Sequence, residues 1–163
     1  MPDPSGSLRL DVGDAVVYGP HGVGRVTAND GLAADRATVV LEFGSGLQVS
    51  LPVTRARESL RPVSSQDELA RVQQTLRADA SPDGEPWSKR FRATREKLAA
   101  GQATGLAEIV RDGIHRERRR GTVASPADRE LYLKARRLLA MEISASRGID
   151  EPDADHWIAE QVE

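Results

Sequence analysis

The spacing of apolar residues switches from alternation to a helical repeat near Val63, and this switch limits what the 163-residue chain can become. Before it, "AVVY" (15–18), "GRVT" (24–27), "ATVVLEF" (37–43), "LQVSLPV" (47–53) and "SLRPV" (59–63) are β-branched or apolar runs separated by Gly, Pro, Asn and Asp, the pattern of short strands. Five such strands predict a small barrel of SH3 or Tudor type. Gly13, Gly22 and Gly24 fall where chain reversals require positive φ, and Gly44 to Gly46 close a hairpin.

Past Val63 apolar residues recur every three or four positions. Ser64 or Ser65 caps a helix with Leu69, Val72 and Leu76 on one face. The segment "ADASPDGE" (78–85) interrupts the pattern, and Pro86 suits the first turn of the next helix, which stops at Gly101. Another helix covers about 104–120, with Leu106, Ile109, Val110 and Ile114 inward and Gly121 at its end. A long one begins at Ser125-Pro126, carries Leu131, Ala135, Leu138, Leu139 and Ile143, and stops near Gly148. The closing acidic segment forms a short helix with Ala154, Trp157, Ile158 and Val162 inward, Trp157 serving as its packing anchor. The expected class is α+β: a five-stranded Tudor/SH3-like β-barrel in residues 1–65, then an all-α bundle in residues 66–163.

Several function classes fall away on composition. Cysteine is absent, which removes disulfides and thiolate metal sites and fits a reducing compartment. His21, His115 and His156 have no local metal-ligand spacing, so no metal or other cofactor is expected. "GPHGVGRV" lacks both the dinucleotide fingerprint and the P-loop Lys-Ser/Thr, and a strand follows it. With no serine elbow either, an enzyme is not expected. No apolar stretch approaches the roughly 20 residues of a membrane span, and the reading is a soluble, cytoplasmic monomer.

The net charge of -2 conceals a strong division along the chain. Residues 1–86 carry 8 Arg and no Lys against 12 acids, residues 87–137 carry 14 Lys plus Arg against 6, and residues 138–163 carry 1 against 7. A basic block between acidic flanks suits a polyanionic partner for that block, although a solvated Arg-rich surface has the same composition.

Inside the basic block stands "EPWSKRFR" (85–92). Trp87, Phe91, Thr94 and Leu98 recur at helical spacing, so Trp87 fits a buried stripe. Its place in the first turn after a polar loop fits an overhanging anchor or wedge as well. Cations flank it along the helix: Lys89 with Arg92 on one face, Arg90 with Lys97 on another. An apolar side chain inserted between base steps, with neighbouring cations on phosphates, is one way to hold distorted DNA. "HRERRRG" (115–121), Arg129, Lys134, Arg136 and Arg137 add further positive charge, part of it ordinary solvated surface.

The blocks "VGDAVVYGPHGVGRV" (12–26), "LPV" (51–53), "PWSKRFRATREKLAAG" (86–101), "LAEIVRDGIHRERRRG" (106–121) and "KARRLLAMEI" (134–143) resemble, in order, the CarD/CdnL family of bacterial transcription regulators, in its short CdnL-like form. The first block is shared with the transcription-repair coupling helicase, whose motor is missing here. The resemblance implies a Tudor-like domain that binds the RNA polymerase β subunit and a helical domain that contacts promoter DNA at the upstream edge of the transcription bubble. On that footing Trp87 matches the wedge that enters the minor groove. Lys89, Arg90, Arg92 and Arg116 match basic DNA-binding positions, and Arg129 matches one after a two-residue insertion. The polymerase contacts fall at Arg36, Gln48 and Ser50, where Ser50 stands in place of an Arg found in relatives. The alternative is a free-standing DNA-binding module that works without polymerase.

Overall fold

A computed structural model describes residues 8–29, 37–82, 84–119 and 125–162. Its N-terminal part is a five-stranded antiparallel sheet formed by β1 (Ala15–Val17), β2 (Val23–Asn29), β3 (Thr38–Phe43), β4 (Gln48–Pro52) and β5 (Arg61–Pro62), in the order β4-β3-β2-β1-β5. Alternation decides which face is inward: Val39, Leu41 and Phe43 of β3 are buried together with Val16, Val26, Leu51 and Val53. A 3-10 turn at Gly19–His21 joins β1 to β2, and Gly22 closes it at φ 82°.

The helical part comprises α2 (Gln66–Arg77), α3 (Trp87–Ala100), α4 (Ala103–Arg118), α5 (Pro126–Arg147) and α6 (Glu151–Gln161). Their apolar stripes build a second cluster from Leu69, Val72, Leu98, Val110, Leu139, Ile143 and Ile158 among others. The caps follow sequence logic. Ser65, Ser125 and Asp150 each accept a backbone N–H three residues on, and Gly101 and Gly148 end α3 and α5 in the left-handed region, both at φ 68°. The chain is thus α+β, a small sheet followed by a helical bundle.

Several expectations need correction. The segment "SLRPV" is not one strand: Val53–Ser59 is a helix, α1, which buries Val53 and Ala56, and β5 keeps only Arg61 and Pro62. Gly24 sits inside β2 without positive φ; it is small because a Cβ there would meet the Phe43 ring at 2.9 Å. Pro86 is the residue before α3, so Trp87 holds the first helical position. The fourth helix stops at Arg118, two residues short of expectation, and Gly121 lies outside the described residues.

Candidate nucleic-acid interface

Of the residues in α3 only Leu98 is buried. The helix is anchored at its C-terminal end, where Leu98 enters the core and Gly101 packs on Gly19, so its N-terminal turn overhangs the bundle. Trp87 therefore remains 47% exposed, while Phe91 and Thr94 are partly covered. The stripe that begins as core at Leu98 ends as surface at Trp87.

The indole is nevertheless held at a fixed angle. Its Nε1–H donates to Asp128 Oδ2 at 2.8 Å, and its ring stacks on Phe91 with centroids 4.9 Å apart and planes 17° from parallel. Arg95 lies over the Phe91 ring at 5.9 Å. Asp128 sits in the first turn of α5, largely buried, and also accepts from the Ser125 hydroxyl at 2.9 Å and from Arg90 Nη2 at 3.5 Å. Sequence reasoning missed Asp128 and the pairing role of Phe91. Ser125-x-x-Asp128 is a capping-box spacing, and Trp87-x-x-x-Phe91 an i,i+4 pair, so both carried a signal.

Trp87, Phe91, Arg92 and Arg95 line a shallow groove on the exposed side of α3. On the other side, Arg90, Lys97, His115, Arg116 and Arg119 line a cleft of about 120 Å³ between α3, α4 and the loop before α3, with Asp128 and Tyr132 at its wall. Lys89 is exposed and reaches Glu85 at 3.6 Å, a pair worth little in water. The five basic positions therefore do not form one patch. Lys89 and Arg92 belong to the outer face of α3, Arg90 and Arg116 to the cleft, and Arg129 lies further along, bound to Glu117 at 3.3 Å. The buried Arg90 Nε has no hydrogen-bond partner among the described residues.

Some of the basic block faces inward. Arg111 is 9% exposed and serves the loop before α3, donating to Asp112, to the Thr75 carbonyl and to Ser81. Arg136, expected as a surface cation, grips Asp155 of α6 through two bonds of 2.6 and 2.9 Å and donates to the Tyr132 hydroxyl. The Asp155 hydrogen bonds raise its pKa above the ordinary guanidinium value, and burial raises that of the Tyr132 phenol. The acidic tail is thus an integral helix: Trp157 packs on the core with Arg147 over its ring at 4.2 Å, and Gln161 accepts from Gln73 and Arg77.

The loop before α3 is tied by Asp112, which accepts the Ser81 N–H at 3.0 Å. Burial pushes the Asp112 carboxyl up, but the Ser81 N–H and the Arg111 guanidinium together outweigh it and hold the pKa below the ordinary carboxylate range. A depressed folded-state pKa contributes stability that is complete above the unfolded value near about 4 and is lost as pH falls through the folded one. Asp112→Asn should flatten the stability profile over that acid limb and leave its neutral-pH shape alone. Urea unfolding from pH 5 to pH 2 checks this, and an unchanged profile refutes it.

On the sheet, Gln48 and Ser50 are exposed on β4, which has β3 as its one strand partner among the described residues; Leu47 beside them is 49% exposed. Arg36 lies outside the described residues. No helix among the described residues is long and apolar enough to cross a membrane, and they hold no cluster of metal-binding side chains.

Sequence comparison assigns a family to both parts of the fold. The family model "CarD, C-terminal domain" matches residues 71–159, and "CarD-like/TRCF RID domain" matches residues 10–64. The chain belongs to the CarD family. The CarD-like RID domain is an RNA polymerase-interacting domain, which here coincides with the sheet. Among curated proteins, the CarD-family "Putative transcription factor YdeB" of Bacillus subtilis (strain 168) is 26% identical over 147 residues, covering 87% of this chain and 95% of that protein. Both halves of this CarD-family chain are therefore covered, and the family is one of transcription factors.

Proposed function

We propose that this CarD-family protein binds the RNA polymerase β subunit through residues 1–65 and uses residues 66–163 to stabilise the open promoter complex, with Trp87 wedged into the minor groove at the upstream edge of the bubble. The observation that carries the reading is the indole at the overhanging end of α3, 47% exposed yet fixed by Asp128 and Phe91. A ring already ordered loses little freedom on insertion. Lys89, Arg90 and Arg92 then supply phosphate contacts, with Arg116 deeper in the cleft. Arg129, like Lys89 and Arg90, is paired with a carboxylate, and it engages phosphate by leaving Glu117.

The polymerase side uses β4. An outer strand offers main-chain pairing that is indifferent to side chains, which accommodates Ser50 where relatives carry Arg; Gln48 and Ser50 lie on that strand, and Arg36, in the segment that follows β2 in sequence, is the third polymerase contact of this reading. A factor that contacts the open complex better than the closed one shifts the balance by its differential affinity, about 1.4 kcal/mol per tenfold. The sign at a promoter depends on whether bubble collapse or polymerase escape limits it.

A promoter-opening assay with purified polymerase tests the proposal. The intact chain should lengthen open-complex lifetime, and Trp87→Ala should abolish most of that gain while retaining polymerase binding. A lifetime unchanged by Trp87→Ala, with polymerase still bound, overturns the wedge. Polymerase that is not captured by the chain favours the free-standing DNA-binding module instead.

A further inference from the structure

The most deeply buried charge among the described residues lies far from the indole. Glu142, 1% exposed, sits on the apolar face of α5 between Leu139 and Ile143. Arg61 of β5 grips it through Nη1 at 2.8 Å and Nη2 at 2.5 Å, and Nη2 also donates to the Gly101 carbonyl at 2.6 Å. The Ser64 N–H at 3.0 Å and the Ser64 hydroxyl both donate to the same carboxylate, and Ser146 Oγ donates to the Ser64 carbonyl at 2.6 Å. Three separate elements thus meet at the Arg61 guanidinium: the last strand of the sheet, which carries it, the α3–α4 turn through the Gly101 carbonyl, and α5 through Glu142.

Beside this cluster the chain packs closely, backbone on backbone at Gly101 and backbone on side chain at Gly22. A Cβ on Gly101 would stand 2.7 Å from the Gly19 carbonyl oxygen, and one on Gly22 would stand 2.8 Å from Leu138 Cδ2. Gly101 is also the residue that ends α3, so the base of the helix bearing Trp87 is bolted to the sheet. A helix of this length is about 20 Å long, and a tilt of roughly 10° at its base displaces its tip by about 4 Å. Placement of functional groups tolerates far less than that.

We propose that Arg61, Ser64 and Glu142 are positioning residues: together they form a latch that fixes the angle between the β4 edge and α3, so that a chain docked on polymerase delivers Trp87 to one point. This rests on the function proposed above. Hydrophobic contact alone would hold the two parts together; the directional bonds from Arg61 to the buried Glu142 carboxylate and to the Gly101 carbonyl at the base of α3 select one orientation. Arg61 lies on β5, the edge opposite β4, so changing it leaves the docking strand untouched. Two linked surfaces act as one only when geometry lets both engage at once.

Because the chain has no cysteine, spin labels at Glu58→Cys on α1 and Ser88→Cys at the tip of α3 report the angle as a distance distribution by pulsed electron paramagnetic resonance. The native chain should give one narrow distribution, and Arg61→Ala a broadened or displaced one. Arg61→Ala, without the labels, should also shorten open-complex lifetime several-fold while capture of polymerase and affinity for free DNA stay within about twofold. If Arg61→Ala proves too unstable, Arg61→Met with Glu142→Leu removes both charges at similar volume and keeps the apolar packing, and the same two results are expected of it. A narrow, unmoved distribution in these variants overturns the latch whatever the promoter assay gives. A broadened distribution with unchanged lifetime, where Trp87→Ala does shorten it, overturns the positioning role. If Trp87→Ala has no effect either, the wedge is what fails, and the distance measurement still decides whether the latch exists.

Discussion

Gly113→Ala should destabilise the protein by about 2 kcal/mol net and lower its thermal midpoint by roughly 4–8 °C. The added methyl would stand 2.2 Å from Tyr132 Cδ2 and 2.6 Å from its Cγ. That ring cannot swing aside cheaply. It is 4% exposed, and its hydroxyl accepts from Arg136 at 2.8 Å and donates to Glu117 at 3.4 Å, while Arg136 is itself fixed to Asp155. Overpacking typically costs ~1–3 kcal/mol, and more where the neighbour is pinned. Replacing a helical glycine returns up to ~1 kcal/mol of helix propensity, which offsets part of it. Gly105 in the same helix supplies the control. Its Cβ would meet Lys97 Cβ at 3.7 Å, an ordinary contact, so Gly105→Ala should be neutral or stabilising by up to ~1 kcal/mol. Thermal and urea unfolding of both variants decides the matter; equal midpoints would show that the Tyr132 ring yields and is not locked.

The same contrast explains how much of the fold could be read from the sequence. Features with a local cause were legible: Gly101 and Gly148 end helices because the left-handed cap favours a residue without Cβ, and Ser65 and Ser125 start them because a hydroxyl satisfies an orphan N–H. The inward stripes of α2, α4 and α5 followed from their repeat. Features with a distant cause were not. Gly24 and Gly113 are set by the rings of Phe43 and Tyr132, which neighbours in sequence do not reveal. The seven-residue α1 follows directly on β4, and its Val53 extended that strand's alternating pattern. Glu142 left a faint sign, a charge on an otherwise apolar face, but its partners Arg61 and Ser64 come from across the chain. In the basic block, counting cations overstated the surface. Whether Arg136 faces solvent or Asp155 depends on where α6 packs, whereas Lys89 and Arg92 on α3, and Arg129, Lys134 and Arg137 on α5, kept the outward placement that the pattern suggested.

Asp128→Ala should reproduce more than half of the loss in open-complex lifetime caused by Trp87→Ala, on a logarithmic scale, although Asp128 is largely buried and need not touch DNA. The carboxylate accepts the indole N–H and so sets which edge of the ring points outward; without it the indole is held only by stacking on Phe91 and samples other rotamers. Arg90 also loses its counter-ion, while its Nε is already buried without a partner among the described residues, so the guanidinium turns outward. Order lost before binding must be restored during it, at about 0.5–1.5 kcal/mol per side chain, or several-fold in lifetime for the ring and the guanidinium together. Asp128→Asn separates the two effects: its carbonyl oxygen still accepts the indole N–H but carries no charge for Arg90, so most of the lifetime should return. Ring order is measurable without promoter DNA. In a Trp157→Phe background Trp87 is the one remaining tryptophan, and its fluorescence anisotropy should fall in Asp128→Ala and recover in Asp128→Asn. In the double variant Trp87→Ala, Asp128→Ala the two lifetime losses should overlap and not add, since one residue acts through the other. Additive losses would mean that Asp128 serves the helix start alone, and that the orientation of the ring is set by Phe91 without it.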